Sequence, residues 1–290
     1  MNPAPSVIIF TVLSGMGFGY MALLATVHDY AGLAALAHWA LAYALAVAGL
    51  MASAFHLGNP QRALRAFTQW RSSWLSREAW GAALTLIILA PVALSDWLGL
   101  GLPEPLGWLG AGLALLTVLA TAMIYAQIRA VPRWHHWSVP LVFITFALAG
   151  GCLLAGLSGP ALVALAALGA AMVLHWHLGD GAFARAGSSL SSATGLMGRG
   201  ALSVFEQPHT GDNYLMREMI HVVGRRHVRK LRVIALVGAS VVPFLAVAGL
   251  GGYPGFGLAL LTYLPGALAQ RWLFFAEAEH VVGLYYGQRG

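Results

Sequence analysis

A single cysteine, Cys152, stands among the 290 residues, so the chain cannot close a disulfide within itself or gather the thiolates of a structural zinc or iron–sulfur site. It lies in an apolar run and reads as a small buried hydrophobe. Charge is scarce too. Asp, Glu, Lys and Arg make up 9% of the sequence against 59% hydrophobic residues, too little polar surface for a domain in water. A soluble enzyme or soluble binding module is thereby excluded. No basic region precedes Pro5 and no small-residue cleavage site follows a short apolar core, so the first apolar run is expected to remain as a span. Period-two alternation is missing, which excludes a membrane barrel, and open sheet edges are not tolerated in lipid. No internal repeat stands out.

What is present is a set of long apolar runs. Eight are expected to cross a membrane as helices of about 20 residues, at 5–27, 33–55, 79–100, 106–128, 138–157, 160–177, 231–250 and 256–275. The fold class is therefore an all-α membrane protein, one domain over residues 1–290 with loops at 56–78, 129–137 and 178–230. All 16 basic residues are assigned to one set of connections, whereas the opposite connections hold His28, Asp29, Asp96 and Glu104. By the positive-inside rule both termini are cytoplasmic, with a bacterial inner membrane as the setting. The sequence pI of 9.8 then reflects anionic lipid and an acidic protein partner, not nucleic acid. In the first span, Gly15 and Gly19 form a small-xxx-small pair, with Gly17 between them, expected to pack closely against another helix.

Residues 55–80, FHLGNPQRALRAFTQWRSSWLSREAW, place a histidine, four arginines and a glutamate between two spans. Asn59 and Pro60 suit the start of a short helix. On it, Ala63, Phe67, Trp70 and Trp74 would form one face and Arg62, Arg65 and Gln69 others, as on a helix lying in the membrane interface. Ser73 or Ser76 would cap the next span, with Glu78 in its first turn. Between 178 and 230 the composition changes. Residues 179–200 are rich in Gly, Ser and Ala and read as flexible or ordered by a partner. From Phe205 onward aromatic, acidic and basic residues mix, a surface suited to protein contact with Tyr214, Arg217, Arg225 and Arg226 as anchors.

The order HLG, N-P, RAL and RSSWLSRE, with FEQPHTGDNYLMREM at 205–219 and RWLFFAEAEHVVGLYYG at 271–287, resembles the membrane-anchor subunits of dimethyl-sulfoxide-reductase-type molybdoenzymes, the DmsC-like anchors. Among those it is similar to the anchor of the cytoplasmic sulfite-oxidising complex. The resemblance implies a quinone-reactive subunit. Its partners would be a four-cluster ferredoxin-like iron–sulfur subunit and a molybdopterin catalytic subunit, which carry the metal cofactors. It implies that electrons pass between those partners and ubiquinone or menaquinone, with sulfite oxidation as the coupled reaction. The family's quinol-site histidine and glutamate fall on His56 and Glu78.

The residues themselves fit that chemistry. A quinone needs donors to its carbonyls and a route for protons. His56 can hydrogen-bond a carbonyl and titrate near neutrality, Arg77 can favour negative charge on the ring, and Glu78 can relay protons when buried. Ser73, Trp74 and Arg62 complete the candidate set, and Arg65 joins the docking residues. Other readings stay open at this stage. Glu78 can instead pair with Arg77, or the stretch can be a plain basic loop with interfacial tryptophans. Paired imidazoles from His56, His135, His136, His175 and His177 can hold a b-type haem, although the resemblance implies none and leaves the HWH at 175–177 without a role. A multi-span transporter is the remaining class, disfavoured because the ionisable residues gather at one interface instead of mid-membrane.

Overall fold

In this computed structural model the described residues are 3–27, 29–55, 59–198, 200–206, 211 and 227–286, and among them every regular element is a helix. His56, Tyr214, Arg217, Arg225 and Arg226 lie outside the described residues. In lipid the backbone must satisfy itself, so each apolar run closes its own hydrogen bonds as a helix. The long helices are α1 (Pro5–Leu24), α2 (Gly32–Ala54), α3 (Trp74–Leu98), α4 (Glu104–Ala126), α5 (Ser138–Leu154), α6 (Ser158–Asp180), α7 (Val228–Gly249) and α8 (Gly252–Ala276). Six of them, α1 to α4, α6 and α7, are long and apolar enough to cross a membrane. The apolar α5 has 17 residues, and α8 has 25 with Arg271 inside it.

Several boundaries differ from the sequence expectation. α3 begins at Trp74, so Glu78 lies beyond its first turn, and Ser73 takes the N-cap position without a side-chain cap bond. The stretch after Asn59 is a 3-10 helix, Pro60–Phe67, and does not extend as one helical face to Trp74. α6 continues past His177 to Asp180. Beyond it, the Gly/Ser/Ala-rich segment is partly ordered, with short helices at Ala182–Arg185 and Leu190–Thr194. The second starts in a capping box, where the Ser192 backbone N–H donates to the Ser189 hydroxyl at 3.2 Å. Within α7 a π turn, Val237–Val241, precedes Pro243, whose ring and missing N–H disrupt regular α-helical bonding.

α1 is the axis of the bundle and touches α2, α4, α5 and α8. Helices in lipid associate through close packing, which small residues permit. A Cβ at Gly17 would sit 2.4 Å from the Ala46 nitrogen of α2, and one at Gly19 would sit 2.0 Å from the Ala147 oxygen of α5. Gly49 of α2 and Gly151 of α5 return the contact, against Ser14 and Gly19. Gly15 does not share this role. Nothing lies within 4 Å of where its Cβ would be, so the close-packing pair is Gly17 and Gly19. They face different neighbours because the two positions are 200° apart around the helix, at about 100° per residue.

At one end of the bundle a ring of charge joins the 4–5 connection to three helices. Arg133 donates to Asp180 at 2.6 Å and to Glu277 at 3.1 Å, while Arg232 donates to Glu277 at 2.7 Å and to Asp180 at 2.8 Å. The end of α6, the start of α7 and the residue after α8 therefore meet, as helices of alternating direction require. The terminal 3-10 helix, Val281–Tyr286, is tied to the same end, with the Val281 N–H donating to Ala130 O at 2.9 Å and Tyr285 to Ala193 O at 2.6 Å.

Candidate functional site

The connection between α2 and α3 delivers its side chains to different places. Arg62 and Arg65 are exposed on the 3-10 helix. Arg77 turns back over the loop, donating to the carbonyls of Trp70 at 3.0 Å and Arg71 at 2.8 Å, with its guanidinium 4.3 Å from the Trp74 ring centre. This is cation–π packing that closes the turn. Trp80 seals the other side, with its ring against Phe67 at 5.3 Å and its N–H on the Phe67 carbonyl at 3.0 Å. Ser73 is half-buried at the turn, and Ser76 is buried and accepts from the Gln69 N–H at 3.3 Å.

Glu78 points the other way. It is 4% exposed and faces α4, where the Thr121 hydroxyl donates to its Oε1. Among the described residues no cation forms an ion pair with it, so the expectation that it could pair with Arg77 does not hold. Their side chains leave the helix in different directions, one to the loop and one to the core. The one Thr121 hydroxyl proton is shared with the Thr117 carbonyl, 3.0 Å away, and Tyr125, the next turn along, is within electrostatic reach of both Glu78 and Arg271.

Arg271 is a second ionisable group inside the bundle. The basic residues were expected in connections, but this one lies five residues before the end of α8 and is 2% exposed. Around it is an aromatic cluster in which Phe274 stacks on Trp134 at 5.3 Å and meets Tyr125 at 5.4 Å. The Trp134 N–H donates to the Phe274 carbonyl at 2.9 Å.

The histidine motif gains a structural partner. The Ser138 backbone N–H donates to His136 Nδ1 at 3.2 Å, which makes that nitrogen an acceptor. Its hydroxyl can then donate to the same nitrogen at 3.0 Å and accept from His175 Nδ1–H at 2.9 Å. His135 donates to the Ala126 carbonyl at 2.7 Å. Outside the spans, burial lowers the His136 pKa, with Arg185 and then His135 adding to the effect. Among the described residues no three His, Cys, Asp or Glu side chains are grouped to hold a metal ion.

At the opposite end a cavity of about 520 Å³ is lined by Asp29, Tyr30, Asp96, Glu104 and Trp108 among others, and by none of the residues the sequence put forward as a site. Asp96 accepts there from the Trp39 N–H at 2.8 Å.

Comparison with known proteins joins these features to a family. A family model described as the DMSO reductase anchor subunit (DmsC) matches residues 1–287. The chain belongs to the DmsC family. A sulfite dehydrogenase subunit of Allochromatium vinosum is 32% identical over 324 aligned positions, covering 99% of this chain and 99% of that protein. No solved structure matches. As a DmsC-family member the chain is a helical, multi-pass membrane-anchor subunit.

In this DmsC-family bundle the sequence-derived site is thus divided. Glu78 enters the core, Arg77 and Trp74 pack the turn, Arg62 and Arg65 face outward, and His56 is outside the described residues. Thr121, Tyr125 and Arg271 were missed. An apolar run with one terminal arginine reads as an interfacial residue, and a threonine in a span bonds its own helix, so neither carries a plain signal in the sequence.

Proposed function

We propose that this chain passes electrons between a partner iron–sulfur subunit and the membrane quinone pool, with the quinone headgroup received near His56 and Glu78. The observation that carries this reading is Glu78 itself, a carboxyl inside an apolar bundle with a single hydroxyl donor and no ion-pair partner among the described residues. Burying such a group in lipid is costly, and groups of this kind serve ion or proton pathways. Its role is to exchange the protons that accompany two-electron chemistry at the quinone oxygens. Arg77, Ser73, Trp74 and Arg62 shape the mouth of the site.

The fold is read as eight crossings with both termini and the arginine-bearing loops in the cytoplasm of a bacterial inner membrane. The ring of Arg133, Asp180, Arg232 and Glu277 supports it, since α6, α7 and α8 must alternate in direction to form that ring. Partners carrying iron–sulfur clusters and molybdopterin dock on that side, at Arg65, Tyr214, Arg217, Arg225 and Arg226. Sulfite is the proposed primary substrate of the complex, on the strength of the Allochromatium relative's name.

The test is Glu78→Gln in the purified complex, with quinone-linked and artificial-acceptor activities measured side by side. The variant keeps size and hydrogen bonding but cannot exchange a proton near neutral pH. Quinone-linked turnover is expected to fall by about 10²-fold or more with the artificial-acceptor rate retained. A parallel fall in both activities, or no fall in either, refutes the assignment.

A further inference from the structure

Arg271 is not used by the reading above, yet its surroundings differ from those of a packing residue. Its Cζ stands 3.6 Å from the Phe143 ring centre and 4.9 Å from that of Phe146, and its Nε and Nη1 have no hydrogen-bond partner among the described residues. A guanidinium keeps its charge and its five N–H donors in a protein, so these donors need acceptors. Two small cavities meet at this side chain. One is bounded by Ser14, Gly15, Val118 and Thr121, and the other by Gly15, Met16, Tyr263 and Ala267, with Thr11 and Arg271 common to both. Each measures about 10 Å³, room for about one water molecule.

The walls offer the acceptors that water would bridge to. Thr11 donates to Val7 O at 3.0 Å and Ser14 to Phe10 O at 2.7 Å, which leaves lone pairs on both hydroxyl oxygens. Thr121 closes the first cavity and donates to Glu78. The open space beside Gly15 lies on the same side, so the glycine that takes no part in close packing is the one that leaves this volume free.

We propose that the two cavities beneath Gly15 form a buried water site bridging Arg271 to Thr121, through which the guanidinium acts as a positioning residue that favours the ionised carboxylate of Glu78. The electrostatic part rests on Glu78 being the proton-exchanging group; the water site does not. Tyr125 of α4 lies within electrostatic reach of both Glu78 and Arg271, Arg77 on the helix of Glu78 is turned to the loop, and Arg271 reaches Glu78 through the cavity it shares with Thr121. α1 brings Thr11 and Ser14 and α5 brings the Phe143 ring to the cavity wall. Tyr263 and His175 lie within electrostatic reach of Arg271.

Two measurements on the intact complex test this. Radiolytic hydroxyl labelling reads water directly. Met16, 6% exposed but beside the second cavity, is expected to be oxidised well above Met172, which is fully buried away from it, and Gly15→Val is expected to cut Met16 labelling several-fold. Labelling of Met16 no higher than Met172, or unchanged in Gly15→Val, overturns the water site. The second measurement is the pH profile of quinone-linked activity. Losing the cation in Arg271→Gln is expected to move the limb that depends on ionised Glu78 measurably to higher pH, with Arg271→Lys close to wild type. Gly15→Val, which keeps the arginine, should move it the same way by less. A superimposable profile in Arg271→Gln overturns the electrostatic role, and where that variant does not assemble, an unmoved Gly15→Val profile does so. If Glu78→Gln leaves quinone-linked turnover intact, the quinone reading is what fails, and the labelling result still decides the water site.

Discussion

Alanine at Gly19 would bring a methyl carbon to 2.0 Å from the Ala147 carbonyl oxygen, where ordinary contact begins near 3.4 Å. The obstacle is backbone, which has no rotamer to escape into, so α1 and α5 must move apart by more than an ångström along a seam that also includes Gly151. Such overpacking costs about 1–3 kcal/mol, and the upper part of that range applies where only backbone can yield. The gain in helix propensity on replacing glycine offsets about 1 kcal/mol, leaving a net loss of about 2 kcal/mol. For a chain of 290 residues, whose unfolding entropy is about 0.6 kcal/mol/K, that corresponds to a fall of about 3 °C in the unfolding midpoint. Gly17→Ala, 2.4 Å from the Ala46 nitrogen, should behave alike. Gly15→Ala meets no atom within 4 Å and should be neutral or more stable by up to about 1 kcal/mol. Thermal unfolding of the three purified variants in detergent, followed by tryptophan fluorescence, separates these cases. Equal midpoints for all three, or a Gly15→Ala midpoint as low as that of Gly19→Ala, would refute the assignment of α1's contact faces.

Three further outcomes are expected. Glu277→Ala leaves Arg133 and Arg232 sharing Asp180, whose side chain is 50% exposed, and should cost about 2–3 kcal/mol, less than a fully buried pair; thermal unfolding checks it, and an unchanged midpoint would show the ring to be ornamental. His136 is held below the usual imidazole pKa chiefly by burial, so the fold favours its neutral form. Its contribution is present above the unfolded value near 6.5 and is lost as pH falls below it, so acidification to pH 5 should lower the midpoint, and His136→Gln should flatten that slope. Reversal of Arg217, Arg225 and Arg226 to Glu should weaken recovery of the partner subunits, most at low salt; unchanged co-purification would place docking elsewhere, most plainly around Arg65.

The helices were legible because a bilayer favours one length and one polarity, and each apolar run of the sequence has a helix over it, six of them long and apolar enough to cross. Glu78 stood out in the sequence as a carboxyl at the head of an apolar run, although capping and pairing with Arg77 were readings as open as burial, and the structure buries it. Its surroundings were not legible. Thr121 bonds the Thr117 carbonyl like any threonine in a span, and only the approach of α3 to α4 turns its hydroxyl into the partner of Glu78. Arg271 sits near enough to a helix end to pass for a residue reaching the interface, and its burial depends on α1 and α5 closing over it. Gly15 and Gly19 have the spacing of a packing pair, but which glycine touches a neighbour depends on where three other helices stand. The histidine motif found its partner 37 residues earlier in the chain, in Ser138.

The segment at 271–287 shows why resemblance reached further here than residue-by-residue reading. Its members act on different parts of one end of the bundle. Arg271 faces the cavities beneath Gly15, Phe274 and Phe275 enclose Tyr125, and Glu277 closes the charge ring. Val281 binds the 4–5 connection, and Tyr285 binds the second short helix after α6, Leu190–Thr194. Substitution at any one of these positions would disturb a different neighbour, so the string constrains the whole end although no two of its residues form an evident chemical group. The consequence is a platform in which the 4–5 connection, the short helix Leu190–Thr194 and the 3-10 helix Val281–Tyr286 are fastened to the ends of α6, α7 and α8. For the docking proposed on this side, the described part of the surface brings its own order, so that share of the binding free energy goes to the contact instead of to ordering loops. The Glu78 site lies behind that platform, on the α3–α4 side of the same aromatic cluster.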